Sequence, residues 1–163
     1  MSIAQSLLPE FIHELGNTRK TLARVPFEKA SFQPHPKSMT MLALAGHLAN
    51  VPSWANFTLR TPSLDLATVS PNEAPVSLES MLADFDAAAA GALEALAAAT
   101  DEDLHAPWTL SMGEQVFFTM PRIAVLRSMV FNHLIHHRGQ LTVYLRMNDV
   151  PVPALYGPSA DEA

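Results

Sequence analysis

Four stretches of the chain repeat apolar residues at the three- and four-residue spacing of a helix, and proline-rich segments fall between them. The first runs from about residue 6 to 24, with Leu8, Phe11, Ile12, Leu15 and Leu22 on one face. Pro9 is expected in its first turn, where a missing N–H costs nothing. Pro26, Pro34 and Pro36 then keep the chain irregular. A second helix, capped by Ser38 or Thr40, carries the run MLALAGHLANVPSWANFTL to about Arg60, and Pro52 is expected to kink or break it. Residues 61–77, with Pro62, Pro71 and Pro75, read as a loop.

The third helix starts at a Ser77 cap and ends near Ala99, with Leu78, Met81, Leu82, Phe85, Ala89, Ala92 and Leu96 as its apolar face. Nine of the thirteen residues 87–99 are alanine, so a neighbouring helix can approach closely. Residues 108–110 and 116–118 form a short β-hairpin about a Met112-Gly113 turn. Thr119 and Pro121 read as cap and first turn of a fourth helix that runs to about Met147. Pro151, Pro153 and Pro158 end it and set an extended tail. The pattern predicts an all-α four-helix bundle, with that hairpin before the last helix, and one domain spanning residues 1–163.

Composition narrows the chemistry. There is no cysteine, which excludes disulfides, thiolate metal sites and a cysteine nucleophile. Between Arg60 and Arg122 there is no Lys or Arg, whereas ten acids fall there. Nothing in the sequence supplies the basic stripe that a phosphate backbone needs, so nucleic acid is not an expected partner. No apolar run approaches the length of a membrane span, and MSIAQSLLPE lacks the basic start of a secretory signal. The expectation is a cytoplasmic protein with no membrane partner.

The fourth helix carries the candidate site. At about 100° per residue, with His133 at zero, His137 falls near 40°, Tyr144 near 20° and Gln140 near −20°. Phe131, Leu134, Ile135, Leu145, Arg127 and Arg138 lie on the opposite side, which predicts a second cover for that face and hence a homodimer. Acids of the middle segment are the expected partners of Arg127 and Arg138. A His-x-x-x-His pair puts two imidazoles one turn apart, within reach of one ion.

His47, set mid-helix among Leu44, Leu48 and Val51, is the candidate third ligand, since an unpaired imidazole there would be costly. Two readings stay open on these residues alone: a three-histidine metal site, or hydrogen-bonded core histidines. His136 is expected to border the site, and His13, His35 and His105 to lie outside it. Trp54, His136, Gln140 and Tyr144 are the candidate pocket residues, with core packing the competing account of Trp54 and Tyr144. Glu14 is the nearest candidate for a base.

The segments Met41-Leu-Ala-Leu-Ala-Gly-His-Leu-Ala, Asn132-His-Leu-Ile-His-His-Arg-Gly-Gln-Leu-Thr-Val-Tyr-Leu-Arg and Val152-Pro-Ala-Leu-Tyr-Gly-Pro resemble the signatures of the DinB/YfiT-like family. The resemblance implies a four-helix bundle, often dimeric, holding a divalent metal on His47, His133 and His137. It also implies a metal-dependent hydrolase or a low-molecular-weight thiol transferase acting on a small molecule. The alternative is a non-catalytic metal-bearing binding or stress-response module. Three neutral imidazoles leave the ion's charge uncompensated and a coordination position open, as in catalytic zinc sites. Zinc is the first expectation and nickel the second.

Overall fold

Ser2 opens the first helix earlier than the apolar pattern indicates. In the computed structural model, which describes residues 1–70 and 73–163, helix α1 spans Ile3–Leu22. The Ser2 side chain accepts from the Gln5 N–H, and Gln5 Oε1 accepts from the Ser2 N–H at 2.9 Å. This reciprocal cap satisfies two end donors and stabilises the added turn. Pro9 consequently sits inside the helix and not in its first turn.

Thr40, not Ser38, caps the second helix, its hydroxyl accepting from the Ala43 N–H at 3.2 Å. Pro52 divides this helix into α2 (Met41–Asn50) and α3 (Ser53–Arg60). The third long helix, α4 (Leu78–Ala98), begins at Ser77 and buries Met81, Phe85, Ala89, Ala92 and Leu96. A one-turn helix, α5 (Asp101–His105), follows.

The chain is mostly helical, with a small three-stranded sheet of order β1-β2-β3. The expected hairpin is present as β2 (Pro107–Met112) and β3 (Gln115–Pro121), closed at Gly113, whose φ of 58° suits a residue without a side chain. The third strand, β1 (Ser63–Asp65), lies where the sequence reads as loop, and it runs parallel to β2. Asp65 accepts from the Gly113 N–H at 2.8 Å, which ties β1 to the hairpin turn. Thr119 is a strand residue bonded to the Thr109 hydroxyl and not a helix cap. Pro71, one of the prolines assigned to the second connection, lies outside the described residues together with Asn72.

The last helix is continuous from Arg122 to Met147 but changes register inside. It comprises α6 (Arg122–Val125), a π-helical turn (Leu126–Phe131) and α7 (Asn132–Met147). Two apolar clusters lie against it. The larger joins α1, α2, α4 and α7 through Phe11, Leu44, Met81, Phe85, Phe131, Leu134 and Leu145. The smaller, under the sheet, gathers Leu64, Trp108, Leu110 and Val125. Trp108 is fully buried there, and its indole N–H donates to the Phe57 carbonyl at 3.2 Å.

The face opposite the histidines has its cover within the chain. Phe131, Leu134 and Leu145 are at most 1% exposed, and Phe131 meets the Phe11 ring edge-on at 4.7 Å. Of the four apolar residues expected to face a partner subunit, only Ile135 is left half-buried. The first helix takes the partner's place because it supplies both apolar contact and charge. Arg127 pairs with Glu10 at 2.8 Å and Arg138 with Glu14, so the acids come from α1 and not from the middle segment.

Candidate metal centre

The π turn ends immediately before the histidine motif. Such turns widen the helix by one residue and recur at functional sites. Here the Met129 carbonyl faces the His133 ring at 3.2 Å from Nδ1. A carbonyl only accepts, so Nδ1 of His133 carries the proton and Nε2 carries the lone pair. His137 is fixed in the same way: its Nδ1 donates to Gln140 Oε1 at 2.7 Å. Both rings on α7 are therefore held in the tautomer that turns a free nitrogen away from their own helix.

His47 comes to them from α2. Its Nε2 stands 3.0 Å from His133 Nε2, and its ring centre lies 4.9 Å from that of His133 and 4.7 Å from that of His137. Ligand nitrogens of all three residues lie within 4.8 Å of one another. Two nitrogens on a tetrahedral zinc stand roughly 3.4 Å apart, so the closest pair is near that spacing. Hydrogen-bonded partners behind two of the three rings match the outer shell usual for imidazole ligands. The donor set fits a divalent ion.

Burial favours the neutral form of every ring. The His47 pKa is lowered to about 4, first by burial and then by His133 and His137. His133 and His137 are lowered from the ordinary value for the same leading reason, with their hydrogen bonds opposing the shift. All three imidazoles are thus neutral and able to ligate at neutral pH.

The metal-free chain should lose stability in acid. The unfolded histidines titrate near ~6.5 and the folded ones lower, so the unfolded state binds more protons between those values. Stability should be full above about pH 6.5 and fall as pH drops towards 4. Urea unfolding midpoints across that range check it, and a rise on acidification would contradict it.

The other expected site residues divide. Trp54 and His47 wall the same cavity. Gln140 touches His137 as described. His136 is exposed, with its ring centre 4.8 Å from that of His137, and it stands outside the three-residue group. Tyr144 does not line the site. It is buried against Phe32, and its hydroxyl donates to the Met39 carbonyl at 3.2 Å.

Glu14 is not beside the histidines either. Its carboxylate is committed to Arg138 on the other side of α7 and accepts from the Tyr156 hydroxyl at 2.7 Å. Of the remaining histidines, His13 bonds to Asn17, His35 to the Lys37 N–H, and His105 to the Asp101 carbonyl. Asn50 and Phe57 also wall the His47 cavity. Asn50 lies one turn beyond His47 and was within reach of a helical-wheel argument. Phe57 was not, because the break at Pro52 redirects the chain before it. Removing the Gln140 amide in Gln140→Ala should weaken metal uptake by roughly 10–100-fold, the usual cost of losing an outer-shell partner. Titration of the metal-free variant with Zn²⁺ checks this.

With the geometry in view, comparison with known proteins assigns the class. The profile of the DinB superfamily matches residues 10–141, and the chain belongs to that superfamily. Among solved structures it is similar to a DinB-like protein from Bacillus cereus ATCC 10987, with 25% identity and a TM-score of 0.73 over 95% of this chain and 98% of that one. A DinB-like protein from Bacillus subtilis shares the fold, with 17% identity and a TM-score of 0.70 over 94% of this chain and 99% of that one. Comparison with curated proteins finds no match. Among the described residues, no helix is long and apolar enough to cross a membrane.

Proposed function

We propose that His47, His133 and His137 hold one divalent metal ion, zinc first and nickel second, and that the protein uses it on a small molecule as a hydrolase or thiol transferase. The observation that carries this reading is the convergence of three imidazoles from two helices, with two ring tautomers already fixed for ligation. Bound there, the ion supplies a Lewis acid that activates a water or a thiol. The chain's own part is to orient and to exclude. Met129 and Gln140 hold the His133 and His137 rings, and Trp54 walls one side against solvent.

The helices α1, α2–α3, α4 and residues 122–147 are read as a four-helix bundle within one domain, since a single apolar cluster draws on all of them. The homodimer expected from the sequence has lost the face it was argued from; sedimentation tests it, a species of twice 17.7 kDa retaining it on another surface.

Elemental analysis of untagged protein, then Zn²⁺ and Ni²⁺ uptake after chelation, tests the centre. One equivalent of metal is expected. A chain that neither carries nor takes up either ion removes the proposal. Ester, amide and thiol-conjugation substrates, with chelated protein as control, separate a catalyst from a metal-bearing binding module.

A further inference from the structure

Three hollows meet at or beside His47. One, of about 400 Å³, is walled by His47, Asn50, Trp54, Phe57, Leu66 and Val69. The other two share Gly46, Glu73 and Pro75 as part of their boundary, and one of them reaches Asp84. Gly46 matters here: a Cβ at that position would stand 2.9 Å from the Pro75 ring, so only glycine lets this segment sit so close to α2.

Trp54 and Phe57 project from neighbouring turns of α3, while Leu66 belongs to the short turn that follows β1. Regular elements therefore set both sides of the first hollow. At its polar end, Asn50 Oδ1 accepts from the Ser53 hydroxyl at 3.1 Å, which leaves the amide nitrogen to donate to a ligand. Among the described residues bounding the three hollows, none is Lys or Arg, and two are carboxylates, Glu73 and Asp84.

We propose that the hollow walled by Trp54, Phe57, Leu66 and Val69 receives the uncharged, aryl-sized arm of the small molecule whose polar head sits at the three histidines. This rests on the metal-centre reading above and specifies the class of ligand for it. The size fits: ligand sites usually enclose about 300–1,000 Å³, and a dry cavity of ~150 Å³ already admits benzene. The lining fits as well. Apolar walls reward an apolar arm, and Asn50 provides one oriented donor at its polar end. An arm that ended in a carboxylate would lose its hydration with no Lys or Arg among the described lining residues to replace it, and the carboxylates Glu73 and Asp84 of the neighbouring hollows offer it none.

Paired hydroxamates test this, because their heads are alike and their arms differ. On zinc-loaded protein, benzohydroxamate should bind about tenfold more tightly than acetohydroxamate by calorimetry, and 4-carboxybenzohydroxamate should lose that gain. Val69→Arg, which puts a long charged side chain at the partly exposed mouth of the hollow, should abolish the gain of benzohydroxamate over acetohydroxamate. A metal-independent readout runs beside it: benzyl alcohol added to metal-free protein should shift the Trp54 indole and Asn50 side-chain amide resonances.

Equal affinities for the two hydroxamates, or resonances that stay in place, would overturn the hollow's role and leave the metal centre standing. Failure to load metal, with the benzyl alcohol shifts intact, would remove the metal centre and keep the hollow. If metal loading and both resonance shifts fail, both readings fall.

Discussion

His137→Ala should lower Zn²⁺ affinity by more than about 100-fold, beyond the range seen when only an outer-shell partner is lost. The ring converges with His47 and His133 at the candidate centre, with its centre 4.7 Å and 4.6 Å from theirs. Gln140 already directs its Nε2 inward, and removing the ring leaves two imidazoles on two different helices. His136→Ala is the informative companion. That residue is adjacent in sequence and its ring touches His137, yet it lies outside the converging group. Its variant should keep nearly full uptake. Equal losses in the two variants would mean that the ligand set is wrong.

Glu14→Ala should be the most destabilising single change on the far side of the same helix. Arg138 is 1% exposed and Glu14 7% at the side chain, and the guanidinium also donates to the Glu14 carbonyl at 2.9 Å and to the Thr18 hydroxyl at 3.2 Å. Removing the carboxylate leaves a buried cation without a counter-charge, a loss of about 3–5 kcal/mol. For a chain of this size that corresponds to roughly 10 °C in the thermal midpoint. Replacing both partners with apolar residues, Glu14→Leu with Arg138→Met, should recover much of the loss, since buried pairs add little over good packing. Metal uptake by the folded Glu14→Ala protein should be unaffected. Thermal melts followed by circular dichroism, with zinc titration alongside, measure both, and a variant of normal stability that no longer binds zinc would reinstate Glu14 at the centre.

The histidine pair was legible because a helix converts a spacing of four into a shared face, and His47 because an imidazole amid leucines needs a partner. The Ser77 cap and the break at Pro52 were legible for equally local reasons, and the cap of the second helix was narrowed to Ser38 or Thr40. The features that were missed depend on distant parts of the chain. Three residues, Ser63–Asp65, are too few to show alternation, and they become a strand only because β2 lies beside them. A helical wheel shows that Arg138 faces away from the histidines but not that Glu14 is waiting there. It therefore left an apolar face with no owner and assigned it to a second subunit. Tyr144 shares the histidine stripe in projection yet ends beyond the site, because its position along the axis brings it to Phe32. The π turn leaves no mark on the apolar pattern.

That turn has a consequence for anyone moving this histidine pair into another scaffold. A straight helix advances about 100° per residue, so one surplus residue sets the segments on either side out of phase by about that angle. Val125 belongs to the small cluster beneath the sheet, whereas Phe131 and Leu134 belong to the large one. Deleting one residue between 126 and 131 would restore an unbroken helix and rotate one cluster's contacts away from their neighbours. A graft that copies residues 132–147 onto an ideal helix would carry the two ligating rings but lose the Met129 carbonyl that aims one of them. The smallest portable unit therefore begins upstream of the motif, with the irregular turn included.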